Sequence, residues 1–209
     1  MLRITLLLTA ALLTLGTAIA ADKDGEWKTM FNGKSLGGWK ASENQDSWKV
    51  ADGTLVCHGP RSHLFYAAEK ETFKNFEFEC EVMTTPGSNA GIYFHTRYQE
   101  TGWPRYGLEC QVNVTQSDPK KSGSLYGVVD IPNPGLQDNQ WYKTSIRVEG
   151  RHIVIKINDK ITVDYTEPEG KPAFSPEFER RLGDGTFALQ AHDPDSKVYF
   201  RNLKVRRLK

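Results

Sequence analysis

Eight polar side chains recur at alternate positions in three otherwise apolar stretches. Tyr93, His95 and Arg97 alternate with Ile92, Phe94 and Thr96; Glu109, Gln111 and Asn113 alternate with Leu108, Cys110 and Val112; Gln190 and His192 alternate with Leu189 and Ala191. A period of two puts each set on one face of a strand. A solvated sheet face ordinarily carries Thr, Lys and Ser, so a row of His, Arg, Glu, Gln, Asn and Tyr reads as the floor of a polar-ligand site. Amides and a guanidinium fork onto vicinal hydroxyls, and aromatic rings cover the apolar face of a pyranose, so the mixture suits a sugar. Trp103 and Tyr126, the latter between Gly123 and Gly127, offer such rings from loops.

His95, Glu109 and His192 are the candidates for acid–base work. Each histidine alone reads as well as a satisfied structural imidazole; their shared phase with Glu109 favours a site. The same three are competent ligands for a divalent metal ion, although no short ligand motif joins them. A conventional glycosidase needs two carboxylates about 5–9.5 Å apart. Beyond Glu109 the same strand face presents only Gln111 and Asn113. A two-carboxylate mechanism is therefore disfavoured unless a loop acid such as Asp130 or Asp193 completes the pair.

The elements that must position these residues read as strands throughout. Residues 27–31, 48–50, 54–57, 64–66, 76–83, 89–97, 106–113, 141–149, 152–158, 161–165, 186–192 and 197–205 carry strand patterns separated by turn signals, Asp52-Gly53 being the strongest. About a dozen short strands with no convincing helix, apart from a helical turn near 176–180, predict an all-β antiparallel two-sheet sandwich of jelly-roll type. Glu77, Glu79 and Glu81 alternate with Phe76, Phe78, Cys80 and Val82 and read as a solvated face. Residues 114–140 break the pattern, and a loop of that length in a compact domain is disordered or part of a site; Tyr126 favours a site.

Residues 1–20 have the basic start, apolar run and small-residue cleavage pattern of an export leader, predicting a mature single domain over 21–209 in the periplasm or outside the cell. No second apolar run is long enough for a membrane span. Lys and Arg number 27 against 26 Asp and Glu, and loss of Arg3 with the leader makes the balance neutral. That leaves no electrostatic reason to expect nucleic acid or an anionic membrane as partner. Oligomeric state is not legible. Three cysteines, Cys57, Cys80 and Cys110, have no zinc-site spacing; Cys80 and Cys110 fit buried core positions, with a bridge between them open in an oxidising compartment.

Residues alone thus lead to a carbohydrate-binding or carbohydrate-modifying sandwich. The ordered set FNGKSLGGWK (31–40), WKVADGTLV (48–56), FKNFEFECEV (73–82), SNAGIYFHT (88–96), GWPRYGLECQVNVT (102–115), GSLYGVVD (123–130), INDKITVDYTEP (157–168) and GTFALQAHDPDSKVYFRNLKVRRL (185–208) covers nearly all of the chain after the leader. It resembles the 3-keto-disaccharide hydrolase family, formerly domain of unknown function 1080, which implies a concanavalin A-like lectin/glucanase fold. The resemblance implies cleavage of 3-keto-glycosides by removal of the C2 proton, β-elimination and hydration, with no paired nucleophile. On it, His95 or His192 is expected as base, Arg97, Tyr126 and Gln190 as enolate stabilisers, and Glu109 as second acid/base or metal ligand. Tyr93, Trp103, Gln111 and Asn113 are expected to bind substrate. The rivals are a noncatalytic lectin-like module and a surface interaction domain using residues 103–106.

Overall fold

The computed structural model describes residues 24–209; the expected leader lies outside the described residues. Thirteen strands occur there: β1 (Lys28–Thr29), β2 (Trp39–Ala41), β3 (Trp48–Ala51), β4 (Thr54–His58), β5 (Ser62–Tyr66), β6 (Phe76–Thr84), β7 (Asn89–Thr96), β8 (Leu108–Asn113), β9 (Tyr142–Glu149), β10 (His152–Ile157), β11 (Lys160–Thr166), β12 (Thr186–Ala191) and β13 (Lys197–Arg207). One antiparallel sheet runs β11-β10-β9-β6-β13-β4-β3, with β1 on β13; the other runs β2-β5-β12-β7-β8. The all-β sandwich expected from the strand patterns is the fold.

Each sheet is built by alternation. In β6, Phe76, Phe78, Cys80 and Val82 are buried, while Glu77, Glu79 and Glu81 face outward between β9 and β13. There Glu77 meets Arg206 and Arg147, Glu79 meets Lys204 and Lys143, and Glu81 meets Arg201. Such half-exposed pairs add little individual stability and chiefly make the face soluble. The inward row packs on the second sheet, with Phe78 stacked on Phe187 at 5.1 Å and Phe76 edge-on to it at 4.8 Å.

The second sheet breaks the one-face rule. Every residue of β7 is buried, because the core covers one side and the loops after β7, β8 and β11 cover the other. A separate apolar cluster of Phe65, Tyr93 and Ala188 lies on that second side. Tyr93, Gln111 and Gln190 of the polar row are buried there, and with half-buried Glu109 they make a pocket floor.

Three local expectations are corrected. Residues 176–180 form no helical turn: Phe174 N–H donates to Glu179 O and Ser175 N–H to Phe178 O, closing a loop on itself. The sole helical element among the described residues is a 3₁₀ turn at Gln45–Ser47. Cys80 and Cys110 form no bridge; all three cysteines are free and buried. Cys80 is on β6 and Cys110 on β8, so the two belong to facing sheets. No helix of the described residues is long and apolar enough to cross a membrane.

Candidate active site

β7, β8 and β12 lie side by side, and their enclosed face floors a cavity of about 290 Å³. Glu109 of β8 is central. Tyr93 Oη donates to its Oε2 at 2.9 Å, and Gln190 Nε2 donates to its Oε1 and to Tyr93 Oη, both at 3.1 Å. Gly91 of β7 makes the space: a Cβ there would lie 2.2 Å from Glu109 Oε1. Burial pushes the Glu109 carboxyl up to about 7, against the hydrogen bonds of Tyr93 and Gln190 and the charge of Arg180. A carboxyl poised there exchanges a proton readily at neutral pH.

The same network orients Gln190. Tyr93 gives its only proton to Glu109, so both partners of the Gln190 amide are acceptors and its nitrogen must face them. Oε1 of Gln190 is left buried and unpartnered, as is Oε1 of Gln111, whose nitrogen donates to Asn89 Oδ1 at 3.3 Å. Both side chains line the cavity. Both amide protons of Gln190 are taken by Glu109 and Tyr93, which leaves none to donate to an enolate oxygen. Gln190 therefore does not fit the enolate-stabilising part expected of it.

The walls come from loops. His192 follows β12; its Nδ1 donates to Asp193 Oδ2 at 2.6 Å, and its ring lies 5.2 Å from Trp103. Burial opposes ionisation of Asp193, but hydrogen bonds from His192 and Ser196 outweigh it and hold the carboxyl below its usual range. Tyr126 Oη donates to Asp118 Oδ2 at 3.2 Å. The Arg180 guanidinium sits 4.8 Å from the Tyr126 ring centre and 4.4 Å from that of Phe174. Gly127 leaves room for it, since a Cβ there would be 2.4 Å from Arg180 Nη1.

Of the residues singled out in the sequence, Tyr93, Trp103, Glu109, Gln111, Tyr126, Gln190 and His192 line this cavity. Asn113 does not: its amide nitrogen donates to Asp118 O and Lys120 O at 3.0 and 3.1 Å, fixing the loop that carries Asp118. His95 and Arg97 are also elsewhere. Two residues of β7, Phe94 and His95, stand opposite the single Phe187 of β12, a β-bulge in which His95 has φ of 56°. The bulge turns the His95 ring out of phase and wedges it edge-on against Phe76 and Phe94. Both nitrogens are used, Nε2 donating to Lys74 O at 2.9 Å and Nδ1 accepting from Gly183 N–H at 3.3 Å. Burial pushes its pKa down to about 4. Arg97 is largely exposed and 3.7 Å from Asp184. Both border a second cavity of about 420 Å³.

A base at His95, an enolate cation at Arg97 and a metal shared by His95, Glu109 and His192 are thus corrected by one backbone irregularity. Among the described residues no group of three or more His, Cys, Asp or Glu is arranged to hold a metal ion. The cavity instead gains Asp118 and Arg180, which the alternation pattern did not flag, together with Asn89 and Phe178. Asp118 lies in the long loop already suspected of belonging to a site. Arg180 lies in a segment without period, where no pattern could mark it. His63 of β5 is a further neighbour, edge-on to Tyr93 and Trp103 at 5.5 and 5.6 Å. Burial holds it neutral, with its pKa down to about 3.

Among solved structures, a candidate glycosyl hydrolase from Parabacteroides distasonis ATCC 8503 is similar over 88% of this chain and 94% of its own, at 21% identity and a TM-score of 0.73. A Bacillus subtilis protein of unknown function with a galectin-like fold matches 88% of this chain and 97% of its own, at 12% identity and a TM-score of 0.60. The carbohydrate-binding module CBM66 from Bacillus subtilis matches 79% and 93%, at 14% identity and a TM-score of 0.57. At such identities the likeness is one of fold. No curated protein matches the chain in sequence. The sequence pattern of the 3-keto-alpha-glucoside-1,2-lyase-like domain matches residues 26–206, nearly every described residue. The chain therefore belongs to the 3-keto-alpha-glucoside-1,2-lyase-like domain family, a family of carbohydrate-active proteins.

Proposed function

We propose that the protein cleaves the glycosidic bond of 3-keto-glycosides by β-elimination, with Glu109 as the base. The observation that carries this is the carboxyl of Glu109, enclosed on the cavity floor, hydrogen-bonded by Tyr93 and Gln190, and brought to about 7. A 3-keto group acidifies the C2 proton, and a base of that strength matches the task at neutral pH.

The C2–H bond breaks, its proton passes to Glu109, and its electron pair becomes an enolate on the C3 oxygen. Arg180 is the cation beside that oxygen, with the Tyr126 ring against its guanidinium. Collapse of the enolate restores the C3 ketone, forms the C1=C2 bond and expels the aglycone oxygen from C1. His192, held by Asp193, supplies the proton to that oxygen through Nε2. Water then adds hydroxyl at C1 and hydrogen at C2, releasing the free 3-keto sugar. Gln111 and Gln190 line the floor beneath the sugar, and Trp103 lies along the ring face. The order of residues 1–20 supports a site of action outside the cytoplasm, for which N-terminal sequencing of exported protein should begin at Ala21.

One observation favours a second reading. Asp118 lines the same cavity as Glu109, so the rival reaction is that of a conventional two-carboxylate glycosidase acting on unoxidised sugar. The test compares aglycone release from a chromogenic 3-keto-glucoside and from its unoxidised parent. Elimination predicts turnover of the keto substrate alone, retained in Asp118→Asn at a reduced level. Turnover of the parent, lost in Asp118→Asn, would establish the two-carboxylate reaction. Binding of plain glycans with no turnover of either would make the protein a lectin-like module.

A further inference from the structure

We infer that His95 is a positioning residue, holding the segment 168–184 in the conformation that delivers Arg180 to the cavity. The role rests on the reading of Arg180 as the site's cation, but its structural part stands apart from that reading.

The segment has neither helix nor strand to hold it. Arg180 has φ of 41°, a conformation that residues other than glycine seldom adopt, so its surroundings must impose it. The ties on either side of Arg180 are few and specific. Glu179 N–H donates to Arg105 O at 2.8 Å, and Lys171 Nζ donates to Arg180 O at 2.9 Å. Leu182 N–H is shared by both carboxylate oxygens of buried Glu167, at 3.0 and 3.1 Å, and Gly183 N–H donates to His95 Nδ1. His95 is itself fixed from behind: donation by Nε2 to Lys74 O selects the tautomer that leaves Nδ1 an acceptor.

The bulge places His95 for this contact. Gly107 and Gly185 flank it, and a Cβ at either would lie 2.1 Å from Phe94 O or 2.3 Å from Thr96 O. Without the extra residue, alternation would put His95 beside Tyr93 in the catalytic cavity and leave Gly183 N–H without its acceptor. The cavity bordered by His95 is accordingly the back of the segment. Its charges are turned on each other, Arg97 on Asp184, Arg151 on Glu169, Lys171 on Glu167 and Arg181 on Glu179.

The test is amide hydrogen exchange across residues 179–183 in His95→Phe, which keeps a ring between Phe76 and Phe94 but has no acceptor. Exchange there should accelerate about fivefold or more while the core strands are unchanged. On a 3-keto-glucoside the same variant should lose kcat with KM little altered, and combining it with Arg180→Ala should cost no more than Arg180→Ala alone. Unchanged exchange in the segment, or losses that multiply in the double variant, would overturn the role. If His95→Phe does not fold, His95→Leu, which also lacks the acceptor, carries the same measurements with the same two outcomes. A native protein that turns over no keto-glycoside would sink the elimination reading, while the exchange result would still decide the positioning role.

Discussion

Tyr93 and His95 share a phase in the sequence of one strand, yet they serve opposite sides of it. Tyr93 donates to Glu109 at the floor of the first cavity, whereas His95 accepts from the backbone of a loop on the other side. One inserted residue in the ladder separates the two outcomes. The proposed chemistry therefore draws on two kinds of placement. Regular strands give a rigid carboxylate floor, and a bulge plus a tied loop brings in the positive charge that the floor lacks.

Breaking the floor should have the largest effect. Glu109→Gln keeps the volume but removes the base, and should lower kcat on a 3-keto-glucoside by about 10³-fold, checked by steady-state kinetics. The same variant sharpens the energetic side. The folded-state pKa of Glu109 is raised from 4.5 to about 7, so the folded protein holds more protons between those values and stability is lost as pH rises through that window. Glu109→Gln should therefore be more stable than the native protein at pH 8, by no more than about 3 kcal/mol, and equal to it near pH 4. Denaturant unfolding at the two pH values checks this.

Breaking the loop-borne half should cost less. Arg180→Ala should reduce kcat about 10²-fold. It should also shift the acidic limb of the pH–rate profile, near 7 in the native protein, to higher pH, because Arg180 helps keep Glu109 ionised. Asp193→Asn, which removes the carboxylate that supports His192, should cost about tenfold, and the loss should shrink for aglycones that are good leaving groups. A series of nitrophenyl and alkyl keto-glycosides reads that dependence.

What was legible in the chain divides along the same line. Alternation in residues 76–83, 106–113 and 186–192 reports the pleat directly, so both sheets and the cluster of Tyr93, Glu109, Gln111, Gln190 and His192 followed from period two. The bulge at His95 left no mark in its own strand. Its signs, Gly107 and Gly185, are distant in sequence and become meaningful only once β7 is seen between them. Arg180 was hidden for a different reason. Its segment is organised by side chains such as Glu167 and His95 bonding to backbone amides, and those bonds impose no repeat. Asp118 fell between: the long loop was suspect, but only Asn113 and Tyr126 determine that this acid faces the cavity.

The central claim is that Glu109 removes the C2 proton of a 3-keto sugar. Its most direct test is deuterium exchange at C2 of a 3-keto-1,5-anhydro sugar in D₂O, a compound with no aglycone to expel. The native protein should catalyse exchange at C2 with a rate that rises with pH through about 7, the pKa of Glu109, and Glu109→Gln should catalyse none. Undiminished exchange in Glu109→Gln, or no exchange by a native protein that still cleaves keto-glycosides, would contradict it.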